Sequence, residues 1–218
     1  MTEHRLNPNS PFFHEERYAR LAPFAGKLIT ICGAGTLGGN LAEMLARMGF
    51  SNIKLIDKDQ VEMRNLSTQP FSRAEVGAPK ARTLANTLYR AVQARLEPVV
   101  VELTAGNAAG LLKDSALVAD AFDNRAGRAA VSETTRALQI PCLHIGFSPD
   151  GLYGNGLWEP HYQLPQEVAG DPCDYPLTRP LALALISLAA RAIVDFFSKG
   201  QSNAFELTWN DLKVGYTL

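Results

Sequence analysis

Paired cysteines are missing from this chain. Among its 218 residues only Cys32, Cys142 and Cys173 are cysteine, at spacings that make neither a CxxC zinc site nor a disulfide framework. A reducing cytoplasm suits such a sequence. A surplus of one charge is missing too. The 21 basic and 22 acidic residues leave a net charge of −1, so no global field recruits nucleic acid or an acidic membrane. The N-terminus is polar and charged, unlike a secretory signal. The most apolar run, Leu181–Phe197, is interrupted by Arg191 and Asp195 and is short for a bilayer span. It reads as a buried helix, and no membrane partner is expected. What remains has the length of one α/β domain, 1–218. Within it, 1–16 reads as a loose N-terminal arm and 161–180 as a long proline-containing loop.

The stretch Lys27 to Asp59 organises the rest. An apolar strand, Leu28–Ile31, runs into Gly33-Ala-Gly35-Thr-Leu-Gly38. Leu37, Leu41, Met44, Leu45 and Met48 then share one helical face, Gly49 closes the helix, and a second strand, Ile53–Ile56, ends at Asp57. This is a β-α-β unit in nucleotide-binding order. Its glycines allow a tight turn, close approach of the backbone to phosphate, and close helix–strand packing. The helix N-terminus offers N–H groups to an anion. Asp57 follows at about 20 residues, where a carboxylate can accept ribose hydroxyls.

Further along, Pro79 can open a helix through roughly Arg95, with Leu84, Leu88 and Val92 on its apolar stripe. Lys80 then stands in a first turn, unfavourable for the helix dipole, which favours a role on phosphate. Val99–Leu103 reads as a third strand, Asn107–Lys113 as a short helix and Ala116–Ala119 as a fourth strand, leaving Asp120 and Asp123 at its carboxyl end. Two readings of these acids stand. Asp123 can hold Mg²⁺ on triphosphate oxygens, or both can cap the helix Arg125–Gln139; Asp120 reads as mostly structural. Ile140–Phe147 and Gly151–Pro160 read as strands five and six, with Cys142 and Cys32 as core residues. The 161–180 loop carries Cys173, flanked by Asp171 and Asp174, and a hairpin at Ala204–Trp209 and Lys213–Thr217 closes the chain. The fold class is therefore α/β, Rossmann-like, a mostly parallel doubly wound sheet with antiparallel C-terminal strands.

The run Asp57-Lys-Asp59-Gln-Val61-Glu-Met-Arg-Asn65-Leu66-Ser-Thr68-Gln69 has no place in an ordinary dehydrogenase. Together with Gly77-Ala-Pro-Lys80-Ala81, Asp120-Ala-Phe-Asp123-Asn124 and Arg17-Tyr-Ala-Arg20, it resembles the ThiF/MoeB/HesA family, bacterial relatives of the ubiquitin-activating E1 enzymes. The resemblance implies an adenylyltransferase. The C-terminal glycine carboxylate of a small ubiquitin-like or sulfur-carrier protein attacks the α-phosphate of ATP, giving an acyl-adenylate and pyrophosphate. It implies ATP and Mg²⁺, with Asp57 and Asp59 placing ribose and metal, Asn65 lining the phosphate channel, and Lys80 and Asp123 at the reacting phosphates. Arg20 reaches across a homodimer, and Cys173 is placed where related enzymes carry a thioester-forming cysteine, although some adenylate without one. Many members carry two CxxC pairs on zinc; none is present here, so no zinc is expected. One departure is plain: Thr68 stands where the family has an arginine, with Arg64 and Arg73 flanking it. Two other functions stay open: a non-catalytic E1-like nucleotide-binding subunit, from Thr68 and the short chain, and an NAD-binding oxidoreductase, from the glycine fingerprint and Asp57 alone.

Overall fold

The computed structural model describes residues 7–18, 23–166 and 176–217, with the backbone alone given for 17, 18 and 217. The described elements form one eight-stranded sheet in the order β3-β2-β1-β4-β5-β6-β7-β8. Strands β1 (Ile29–Cys32), β2 (Ile53–Ile56), β3 (Glu97–Val99), β4 (Leu117–Asp120) and β5 (Cys142–Phe147) are parallel. Strands β6 (Tyr153–Trp158), β7 (Ala204–Thr208) and β8 (Lys213–Thr217) continue antiparallel. The expected architecture is the observed one.

Every residue of β1 and of β4 is buried, because helices cover both faces, which is why these strands read as continuous apolar runs. The period of two divides their side chains. Ile29 and Ile31 join Leu41 and Leu45 of α2 (Thr36–Met48), Leu84 and Leu88 of α3 (Lys80–Val92), and Leu185 and Ile193 of α6 (Arg179–Lys199). On the other face Cys32, Val118 and Cys142 meet Ala108 and Leu112 of α4 (Ala108–Leu112) and Val131 of α5 (Arg125–Leu138). The thiols are core, as their alternation in apolar strands indicated. Helix α6 has the length and composition of a membrane span, but Leu181, Leu185, Ile186, Ala189 and Ile193 are buried in the domain.

Several boundaries differ from the sequence reading. Strand β3 lies at Glu97–Val99, upstream of the β-branched run that marked it, and pairs with Lys54–Ile56. Pro98 is tolerated there because β3 is the sheet's edge. The residues after it leave the sheet, and 101–105 line a cavity instead. Asp120 is the last residue of β4, paired with Cys32 and fully buried, rather than free beyond the strand. Near the N-terminus, α1 covers Phe13–Tyr18, and the Phe12 ring lies against Gly49, within the stretch read as a loose arm.

Candidate active site

Strand order reverses between β1 and β4, the position where open α/β sheets bind ligands at their carboxyl ends. A cavity of about 700 Å³ occupies that place. It is lined from the loops after β1 (Gly33, Gly35), β2 (Asp57, Asp59) and β4 (Asp123), and from Thr36 and Lys80 at the starts of α2 and α3. Asn65 also lines it. Residues scattered over ninety positions of sequence thus meet around one space.

The glycine turn is built by backbone bonds. Gly33, at φ 97°, donates its N–H to the Ile56 carbonyl at 2.8 Å, tying the turn to β2. Gly38 does not line the cavity. A Cβ there would stand 1.9 Å from the Gly33 carbonyl oxygen, so this glycine permits contact between α2 and the turn. Asp57 joins the two halves of the motif: one oxygen accepts the Ala34 N–H at 2.6 Å, the other the Asp59 N–H at 2.7 Å. Burial pushes its carboxyl above the ordinary range, an effect that these two N–H donors and Lys80 oppose. Asn65 is held in the turn Met63–Asn65 by its Oδ1, which accepts the Glu62 N–H at 2.8 Å.

Lys80 is 8% exposed, more enclosed than its place in a first turn indicated. Its ammonium lies 3.8 Å from the Asp59 carboxylate and reaches the cavity. Asp123 is exposed on the cavity rim. The cap of α5 is Asn124, whose Oδ1 accepts the Gly127 N–H at 2.8 Å. That removes the capping alternative for Asp123. Of the two arginines flanking Thr68, Arg64 lines the cavity and is bonded to Glu62 at 2.7 Å, whereas Arg73 is not among its described lining residues. Thr68 itself meets Thr36 through their hydroxyls at 3.0 Å. Arg20 and Cys173 lie outside the described residues. Arg179 directs Nη1 at the Gln69 carbonyl, 3.4 Å away.

One constellation was not anticipated. Behind the Asp123 turn, His144 of β5 is fully enclosed between Asp120 and Glu159, with Nδ1 2.8 Å from Asp120 and Nε2 3.0 Å from Glu159. The sequence signal was there: a histidine and an aspartate inside strands that are otherwise apolar.

A glycine turn, a helix N-terminus and converging carboxylates at the switch point of a doubly wound sheet define a Rossmann-like domain of the nucleotide-binding type. The ThiF family model matches residues 8–155, and the chain belongs to the ThiF family. It is similar to the sulfur carrier protein ThiS adenylyltransferase of Bacillus subtilis, 32% identical over 143 residues, covering 61% of this chain and 42% of that one. It is also similar to the sulfur carrier protein adenylyltransferase of Thermus thermophilus, 33% identical over 118 residues, covering 53% and 43%. Each match spans less than half the relative's length. Among solved structures, E. coli MccB with AMPCPP and MccA superposes at a TM-score of 0.78 over 98% of this chain and 72% of that chain, at 16% identity, a likeness of fold.

Proposed function

We propose that the chain binds ATP·Mg²⁺ in the switch-point cavity and adenylates the C-terminal carboxylate of a small ubiquitin-like or sulfur-carrier protein, as a single adenylation domain over 1–218. The observation that carries this reading is the convergence of Gly33, Gly35, Asp57, Lys80 and Asp123 on one cavity in a ThiF-family chain. Related chains named as sulfur-carrier adenylyltransferases support the reaction class.

Catalysis in this reading is positioning and charge stabilisation. The turn N–H groups hold phosphate, Asp57 meets the ribose, and Lys80 neutralises charge that grows on the reacting phosphates. The described lining carries five carboxylates (Asp57, Asp59, Glu62, Glu102, Asp123) against three cations (Lys58, Arg64, Lys80). That balance disfavours a bare triphosphate. It fits a magnesium complex held by one protein carboxylate, Asp123, since Mg²⁺ commonly takes one or two carboxylates plus substrate phosphates. The metal, when bound, supplies positive charge at the phosphate oxygens. Arg20, contributed by the partner of a homodimer, supplies more, and Cys173 receives the acyl group if a thioester follows. A cytoplasmic location accords with unpaired thiols.

ATP–pyrophosphate exchange with candidate carriers ending in glycine tests the proposal. Exchange that depends on the carrier's terminal carboxylate is expected. Tight ATP binding without exchange by any carrier would leave the non-catalytic subunit as the better reading.

A further inference from the structure

The buried cluster behind the cavity contains more hydrogen-bond contacts than neutral groups can fill. Asp120 Oδ2 and Glu159 Oε1 face opposite nitrogens of the same imidazole, at 2.8 and 3.0 Å. A neutral ring has one N–H and one lone pair. Two carboxylates therefore need one further proton, on the ring or on one acid, or a lone pair is left against a buried oxygen.

The aromatic ring beside the imidazole favours that proton, while two guanidiniums beside the acids oppose it. The Tyr162 ring stacks on the imidazole with centroids 3.6 Å apart and planes 6° apart, an arrangement that favours a cationic ring. Arg128 lies 3.6 Å from Asp120, bonds the Ile145 carbonyl at 2.7 Å and reaches the Tyr162 hydroxyl at 3.4 Å. Arg136 donates to Glu159 and to the Tyr162 carbonyl, each at 2.6 Å, and Ser132 donates to Glu159 at 2.5 Å. Burial raises the Tyr162 hydroxyl, Asp123 acts on Arg128, and Cys142 on β5 and Cys32 on β1 also face the cluster. Burial pushes both thiols well up, and Asp120 adds to this, so they stay protonated.

The cluster has a direct line to the cavity. The second oxygen of Asp120 accepts the Phe122 N–H at 3.1 Å, within the turn that presents Asp123. Arg125, two residues beyond Asp123, donates to the Pro165 carbonyl. Asp120 thus ties the cluster to the Asp123 turn, and Arg128 and Arg136 tie it to Tyr162.

We propose that His144, bridged between Asp120 and Glu159, is a positioning residue that holds the Asp123 turn and Tyr162 in one arrangement through a proton shared among the three side chains. The role of that turn toward nucleotide rests on the proposed function; the clamp itself does not. Without that proton a ring lone pair would face a carboxylate, and one of the two acids would lack its partner.

Glu159→Gln separates the shared proton from the clamp. The amide nitrogen can donate to neutral His144 and to the Ser132 oxygen, while the amide oxygen accepts from Arg136, so all contacts are kept with no extra proton. Hydrogen exchange of the full chain, expressed as protection factors, is followed in peptides containing Phe122 and in those spanning 159–162. At one neutral pH, Glu159→Gln is expected to keep the wild-type protection there, because its amide supplies the donor that the shared proton supplies in wild type. His144→Gln, which can satisfy only one neighbour, should lower protection about tenfold, as loss of one buried hydrogen bond gives. Unchanged protection in His144→Gln, or an equal fall in Glu159→Gln, overturns the proposal. Affinity for Mg·ATP, measured in parallel, should weaken in His144→Gln and hold in Glu159→Gln. Absence of Mg·ATP binding in every form would overturn the nucleotide reading alone, because the exchange result decides the clamp without it.

Discussion

Two glycines of one motif should fail in different ways. Gly38 carries no cavity surface, and an alanine Cβ there would sit 1.9 Å from the Gly33 carbonyl oxygen and 2.9 Å from its carbon. Neither atom can rotate away, because Gly33 is bonded to β2 through its N–H. Helix α2 must move outward by about 1 Å, and with it Leu41 and Leu45, which are fully buried against Ile29 and Ile31. Overpacking of this kind costs about 1–3 kcal/mol, and a contact with rigid backbone belongs at the upper end. For a domain of this size about 3 kcal/mol lowers Tm by roughly 6–12 °C. Gly35 is the contrast: its added Cβ meets only Gln69 Nε2, at 3.9 Å, and its φ of −79° suits any residue. Gly35→Ala should therefore unfold within about 1 kcal/mol of wild type, yet bind ATP weakly, since a methyl group would stand where phosphate approaches the turn. Thermal unfolding and ATP titration of both variants check this. An unchanged Tm in Gly38→Ala would refute the packing argument, and unchanged ATP affinity in Gly35→Ala would refute the assignment of the turn.

Lys80→Ala and Asp123→Ala should each lower pyrophosphate exchange by roughly 10²–10³-fold, by analogy with removal of one donor to a developing anion; near wild-type exchange in either removes its assigned role. Because burial raises the Asp57 carboxyl, its protonation favours the folded state: the contribution is present below about pH 4 and is lost as pH rises through the folded pKa. The unfolding free energy of wild type minus that of Asp57→Asn should accordingly fall with rising pH over that window, and a difference that rises would contradict the burial argument. Native Cys173→Ala should leave Ellman's reagent unreacted until denatured, since Cys32 and Cys142 are enclosed and their thiols are pushed up by burial. If Cys173 is the nucleophile, that variant should still release pyrophosphate but accumulate no reductant-sensitive carrier conjugate.

The order β-α-β, the glycine turn and the acid after β2 were legible because they are local. A period of 3.6 for α2, a short apolar run on either side and the glycine spacing depend only on neighbours in the chain. So was the burial of Cys32 and Cys142, since strands covered on both faces must be apolar throughout. Three matters were settled elsewhere. The edge strand was displaced because pairing with Lys54–Ile56, rather than β-branching, selects Glu97–Val99. The meeting of Asp123 with Asp57 around one cavity arises from the reversal of strand order between β1 and β4, and Lys80 is brought to Asp59 by the bridge between Gln60 and Pro79. The cluster of Asp120, His144 and Glu159 depends on register. Asp120 pairs with His144 across β4 and β5, and Glu159 follows the antiparallel strand β6, with its N–H on the Cys142 carbonyl at 3.0 Å. Asp120 and His144 each read alone as a misplaced side chain in an apolar strand, and Glu159 as a turn residue. Only the alignment of three strands places two acids on one ring, because hydrogen-bond partners of a buried group are chosen in three dimensions and leave no spacing in the sequence.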